Sequence, residues 1–244
     1  MRENITSPRC PIRVKAQKKN MIEYTITRSN RKTIGIYVRN ASVEVRANYR
    51  TPESHIIDFV SKKEKWITKH LTAEREKAKK RANFMLTYGD TIRYRGELYP
   101  IVERPGRFAG FYGDNFYMPP NLSPEQIKSN CIEIYRDLAE FELNKRACEF
   151  VERMLVLPTA IRITNAKARW GSCSSKRSVC FSWRLMMADD GVIDYIVVHE
   201  LAHIIEMNHS TRFWKIVESI LPDYEEREKR LRELQNSLRY ESWD

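Results

Sequence analysis

From Val192 to Ile205 apolar residues recur at helical spacing. Ile193, Val197, Val198, Leu201, Ile204 and Ile205 form a broad arc, and Val192 with Ile196 extends it toward the opposite side. Asp190 supplies a side-chain cap for the first turn, and Asp194 adds negative charge near it. A helix that is apolar nearly all round lies at the centre of its domain, so the pattern predicts a buried one.

Upstream the pattern alternates instead. Ile22 to Arg28, Thr33 to Val38 and Val43 to Arg46 read as three strands of a small antiparallel sheet, with polar turns between them. Thr51 and Pro52 open a helix whose apolar stripe is Ile56, Phe59, Val60, Trp66 and Ile67, and a charged stretch from Leu71 to Arg81 continues it. A second strand group lies between Tyr88 and Tyr117, with turns at Arg95-Gly96, Pro105-Gly106 and Gly113-Asp114-Asn115. Ser123-Pro124-Glu125 starts a long helix toward Leu157, where Pro158 stops it. Ile161 to Thr164, Lys167 to Trp170 and Val179 to Leu185 read as three strands before the buried helix; Arg212 to Leu221 and Asp223 to Leu238 read as helices after it.

The expected class is α+β. A basic mobile tail covers 1–20, a β-rich amino-terminal region with a long helix covers 21–120, and a second domain covers 121–244. Two strand groups, each followed by a helix, make a faint internal echo without a solenoid period.

The chemistry sits on the buried helix. His199 and His203 are four positions apart, about 40° apart in projection, so both rings reach one metal ion with Glu200 beside them. This is the spacing of hydrolytic zinc sites. Two histidines satisfied by backbone carbonyls in an ordinary buried helix would account for neither Glu200 nor His209. A third neutral imidazole from His209 leaves the fourth tetrahedral position open for water, which distinguishes a catalytic zinc site from a closed structural one. Glu206 stands where the long zincin pattern has a turning glycine, so Asn208 is expected to make the turn in a left-handed conformation. Glu206, Glu218 and Glu225 are rival third ligands. His209 is preferred because it follows the expected helix end and Ser210 can cap the next helix.

Composition narrows the setting. The chain has 244 residues, is 42% hydrophobic, and shows no run near the roughly eighteen apolar residues of a membrane span. Its start is basic and polar without an apolar core of a signal sequence, so a cytoplasmic protein is expected. The five cysteines, Cys10, Cys131, Cys148, Cys173 and Cys180, show no paired ligand spacing and read as reduced thiols, with Cys173 and Cys180 facing each other across a hairpin. A net charge of +11, with basic runs at Arg13 to Lys19, Lys62 to Lys65 and Lys77 to Arg81, adds nucleic-acid association as an expected partner class. No zinc-finger or helix-turn-helix module accompanies it.

Several motifs carry a family resemblance. Arg169-Trp170-Gly171-Ser172-Cys173, Arg184-Leu185, Ile193-Asp194-Tyr195 leading into His199-Glu200-Leu201-Ala202-His203, Asn208-His209-Ser210 with Phe213-Trp214, and Pro222-Asp223-Tyr224 resemble the YgjP-like metal-dependent hydrolases, which are similar in turn to the SprT and WLM zincin metallopeptidases. Tyr24-Thr25-Ile26, Val43-Glu44-Val45-Arg46-Ala47 and Trp66-Ile67 resemble the family more loosely, and Asn48 departs from it where proline is commoner. The resemblance implies a zincin-like, minigluzincin-type catalytic domain in which His199, His203 and His209 bind Zn2+ and Glu200 is the catalytic acid and base. It also implies that Trp170, Gly171 and Ser172 belong to a sheet edge that accepts an extended substrate by strand addition. A plainer reading makes Trp170 and Trp183 core aromatics and Gly171 a bulge.

The expected activity is peptide-bond hydrolysis by direct attack of water, with no covalent enzyme intermediate and with a protein or peptide as substrate. Hydrolysis of a nucleoside triphosphate by the same metal is an alternative, though no glycine-rich phosphate loop is present. A non-enzymatic zinc-containing nucleic-acid adaptor is a second alternative, against which the intact Glu200 argues.

Overall fold

The computed structural model describes residues 12–13 and 22–243. The expected basic tail therefore lies outside the described residues except for strand β1 (Ile12–Arg13). The architecture is α+β. It forms two compact units, one running up to Phe84 and including Tyr240–Ser242, the other covering Met85–Arg239 with Trp243.

In the first unit, β2 (Thr25–Ser29), β3 (Gly35–Arg39) and β4 (Ser42–Asn48) join β1 in the order β1-β2-β4-β3. The sheet is mixed, which corrects the antiparallel expectation: β4 turns back from β3 as a hairpin and slots between it and β2, so it runs parallel to β2. Two-residue alternation puts Ile26, Val43, Val45 and Ala47 on one face. Against them pack Ile56 and Val60 of α1 (Glu53–Lys62) and Ile67 of α2 (Glu64–Ala82). The single helix expected here is two, because Lys63 leaves helical geometry at φ −105°, ψ 8°.

The second unit opens with β5 (Thr91–Tyr94), β6 (Glu97–Glu103), β7 (Gly110–Tyr112) and β8 (Asn115–Met118), in the order β5-β6-β8-β7. Its pairings run antiparallel, parallel and antiparallel across the sheet, as they do in the first unit. The internal echo is thus one four-stranded topology used twice.

Helix α3 (Pro124–Met154) follows, with a reciprocal capping box between Ser123 and Gln126. It ends at Leu155, which takes a left-handed conformation at φ 52°. Next come β9 (Ala160–Thr164), β10 (Gly171–Cys173) and β11 (Ser178–Ser182) in the order β10-β11-β9. Lys167 to Trp170 is not a strand; β10 begins at Gly171. The strand expected to run to Leu185 stops at Ser182, whose side chain accepts from the Arg184 N–H and caps a 3-10 turn over Trp183–Met187.

The remaining helices are α4 (Asp190–Ala202), α5 (Thr211–Ile220) and α6 (Tyr224–Leu238). Helix α4 is the central one, packed by α3, β10, α5 and α6. The ring of Tyr135 from α3 stacks on Trp183, and Trp243 packs edge-on against both. No helix among the described residues is long and apolar enough to cross a membrane.

Candidate metal centre

The start of α4 is fixed by charge. Asp189, not Asp190, is the N-cap: its Oδ1 accepts from the Val192 N–H at 3.1 Å. Asp190 is free to face outward from the first turn and takes both prongs of Arg95 at 2.7 and 2.6 Å, with Arg146 at 2.6 Å. Arg146 also reaches Asp194 at 2.5 Å, and Arg230 reaches Asp189 at 3.0 Å. Arg95 sits on the β5–β6 turn, where Gly96 at φ +87° approaches so closely that a Cβ there would lie 3.0 Å from the Asp189 Cβ. Carboxylates at a helix N-terminus are favoured by its dipole, and here they also tie α4 to α3, α6 and the β5–β6 hairpin.

At its other end α4 stops at Ala202, with His203 as the C-cap. The chain turns back through short-range bonds: Ile204 and Ile205 N–H groups reach the carbonyls of Leu201 and Ala202, each at 3.0 Å, and Ser210 N–H reaches the Asn208 carbonyl at 2.7 Å. Asn208 is not among the residues with positive φ, which corrects the expectation of a left-handed turn there. Tight right-handed turns make the reversal, so the glycine replaced by Glu206 is not needed. Ser210 caps α5 by accepting from the Phe213 N–H, in line with the sequence pattern.

The reversal brings His209 back over the helix. Ring centroids of His199, His203 and His209 lie 5.0, 5.0 and 4.8 Å apart pairwise. One nitrogen from each falls within 4.8 Å of the others, a group able to hold a metal ion. His199 Nε2 and His209 Nε2 are 3.0 Å apart. Two nitrogens on one tetrahedral zinc stand about 3.3 Å apart, so the spacing is close to what a shared ion requires. The rival carboxylates Glu206, Glu218 and Glu225 are not in the group.

Protonation and bonding fit a metal as well. Burial, reinforced by His203 and His209, pushes the His199 pKa down to about 3, and burial lowers that of His203. Both rings are neutral at neutral pH, as ligands must be. His203 Nδ1 lies 3.2 Å from the Glu206 carbonyl, so it is the donor and Nε2 keeps its lone pair for the cluster. His199 Nδ1 is buried without a hydrogen-bond partner, leaving the ring's polar contact on the Nε2 side. Phe213, fully buried, packs 4.6 to 4.9 Å from all three imidazole centroids, and Trp214 stacks on His209 at 5.8 Å.

Glu200, one residue after the first histidine, is only 6% exposed. Burial raises its carboxyl pKa to about 7, against the opposing charge of Arg169. It lies directly against β10: a Cβ built on Gly171 would stand 2.5 Å from Glu200 Cγ.

A model of the YgjP-like metallopeptidase domain matches residues 32–234. The chain belongs to the YgjP-like metallopeptidase family. No curated protein matches it. Among solved structures it is similar to the zymogen of the metallopeptidase abylysin from Pyrococcus abyssi, at 18% identity over 41% of this chain and 98% of that one, with a TM-score of 0.35. The zymogen of the metallopeptidase jannalysin from Methanocaldococcus jannaschii is 20% identical over 38% of this chain and 95% of that one, with the same TM-score.

In this YgjP-like chain β10 is, among the described residues, one edge strand of its sheet. Trp170 C=O accepts from Ser182 N–H at 2.8 Å, and Ser174 N–H reaches Ser178 C=O at 3.0 Å. Antiparallel bonding alternates, so Ser172 opposite Cys180 also faces inward, and the backbone groups of Gly171 and Cys173 point to the open edge. Of Trp170, Gly171 and Ser172, only Gly171 directs its backbone outward. Cys173, opposite Val179, has its side chain on the face near Glu200; burial, together with the charge of Glu200, raises its pKa. Cys180 pairs with Ser172 and points to the other face, so the two thiols do not face each other. Sequence reasoning missed Cys173 and Arg169 beside Glu200; the two-residue alternation from Gly171 is the signal for the first.

Proposed function

We propose that this YgjP-like chain is a zinc-dependent peptidase in which His199, His203 and His209 hold the ion and Glu200 is the general base. One observation carries the reading: three imidazoles converge, and the residue next to the first of them carries a buried carboxyl group that lies against the edge strand β10. When bound to three neutral imidazoles, zinc supplies Lewis acidity, bringing water to a pKa near 7 and withdrawing charge from a carbonyl oxygen.

The chain's own groups do the rest. Gly171 and Cys173 offer outward N–H and C=O groups on which an extended peptide can pair as an added strand. Pairing there lays the peptide alongside β10, the strand whose face Glu200 borders. Burial raises the Glu200 carboxyl pKa in the metal-free chain and so makes it a stronger base than an exposed carboxylate, suited to take a proton from the attacking water at Oε and return it to the leaving amine. Phe213 and Trp214 exclude water from the back of the imidazoles, which strengthens each electrostatic contact in front of them.

The test is a peptide library digested by zinc-loaded protein. Glu200→Gln is expected to retain one zinc per chain and lose turnover, while His203→Ala loses both. Full turnover by the Gln variant would show that Glu200 is not the base.

A further inference from the structure

Glycine at position 171 is not there for backbone freedom. Its φ lies outside the left-handed region, in ordinary strand geometry that any residue adopts. What it lacks is a side chain, and the space a side chain would fill is taken. A Cβ at 171 would stand 2.5 Å from Glu200 Cγ, 2.8 Å from Oε1 and 2.9 Å from Cδ. Carbon atoms in contact rest about 3.5–4.0 Å apart, so a single methyl group and the present Glu200 rotamer exclude each other.

The nearest atoms in the way all belong to the Glu200 side chain and none to a backbone. β10 is held to β11 by the bonds at Trp170 and Ser174 that flank it, and its partner across from Gly171 is the fully buried Phe181. Glu200 rides on α4, whose first turn is locked by Arg95, Arg146 and Arg230. The element that yields is the Glu200 side chain.

We propose that Gly171 is a positioning residue for Glu200: the bare Cα of the edge strand is the surface against which the carboxyl group is laid beside the three histidines. This deepens the reading of Glu200 as the general base and rests on it. The same residue then serves two purposes. Its backbone faces the open edge where a peptide pairs, and its missing side chain sets where the base stands relative to that peptide. A displacement of about 1 Å in such a group costs on the order of 100-fold in rate.

The test is a double-mutant cycle on the full chain, read by both activity and stability. Gly171→Ala is expected to lower kcat about 100-fold with KM for the peptide within about threefold and one zinc per chain retained. Its melting temperature should fall in the wild-type background. In a Glu200→Ala background the obstructing side chain is gone, and the same Gly171→Ala change should leave the melting temperature unchanged or raise it, because alanine restricts the unfolded chain.

An equal fall in both backgrounds would mean that Gly171 serves only the strand, and wild-type kcat in Gly171→Ala would mean that it does not position the base; either overturns the proposal. Retained turnover in Glu200→Gln would instead overturn the reading of Glu200 and the proposal with it, so the two failures are distinguishable.

Discussion

Glu200→Gln has a consequence in the metal-free protein that needs no substrate. Gln has nearly the same shape and cannot ionise. In the native chain burial raises the Glu200 pKa from 4.5 to about 7, so the folded state keeps a proton that the unfolded state has released across that interval. A raised pKa contributes stability that is fully present below pH 4.5 and lost as pH rises through about 7. At about 1.4 kcal/mol per pH unit the loss amounts to about 3 kcal/mol. For a chain of this size that corresponds to a melting shift on the order of 6–12 °C.

The assay is near-ultraviolet circular dichroism of chelator-treated protein, followed against temperature at roughly half-unit steps from about pH 4 to about pH 8.5, a span that brackets both pKa values. The quantity to plot is the difference between Glu200→Gln and wild type. It should be flat below pH 4.5, open in favour of the Gln variant up to about pH 7, and stay level above. His199 works the other way, since its pKa is lowered to about 3 and its contribution is lost as pH falls from about 6.5 toward that value. That loss is common to both proteins and cancels in the difference. A difference that is constant across the range, or one that widens toward acid, would refute the reasoning.

Three further outcomes are expected. Phe213→Ala removes a fully buried ring from behind all three imidazoles and should cost about 3–5 kcal/mol by denaturant unfolding while weakening zinc binding at least about tenfold; unchanged zinc affinity would contradict its supporting role. Arg146→Ala takes away the cation shared by Asp190 and Asp194 and should cost about 1–3 kcal/mol in urea unfolding, with a loss below about 0.5 kcal/mol counting against the clamp on α4. Adding zinc at about 100 times its Kd to chelator-treated protein should raise stability by about 2.7 kcal/mol, and His203→Ala should abolish the gain; the same gain in the variant would place the ion elsewhere.

What the sequence made legible was local. Helix α4, the cap at Ser210, the helix start at Ser123-Pro124 and the turn at Arg95-Gly96 each follow from neighbouring residues whose side chains and backbone preferences act within one or two turns. The histidine triad was legible for the same reason, as a four-residue helical spacing plus one short return.

What was missed depends on partners distant in the chain. Alternation marks β2 and β4 as strands but cannot say that β4 lies beside β2 and runs parallel to it. The choice between Asp189 and Asp190 as cap was decided by Arg95 and Arg146, from a hairpin and a helix far upstream. The opposite faces of Cys173 and Cys180, and the closeness of Gly171 to Glu200, depend on a register of β10 on β11 and on the packing of β10 against α4. Asn208 misled because a left-handed residue is a common way to end a helix and reverse, whereas here successive right-handed turns suffice.

The most direct measurement is X-ray absorption at the zinc edge on the purified full chain, paired with elemental analysis. The account predicts one zinc per chain, with three imidazole nitrogens at about 2.0–2.1 Å and one further light-atom ligand. A sulfur ligand at about 2.3 Å, four protein ligands, or a chain that takes up no zinc would contradict it.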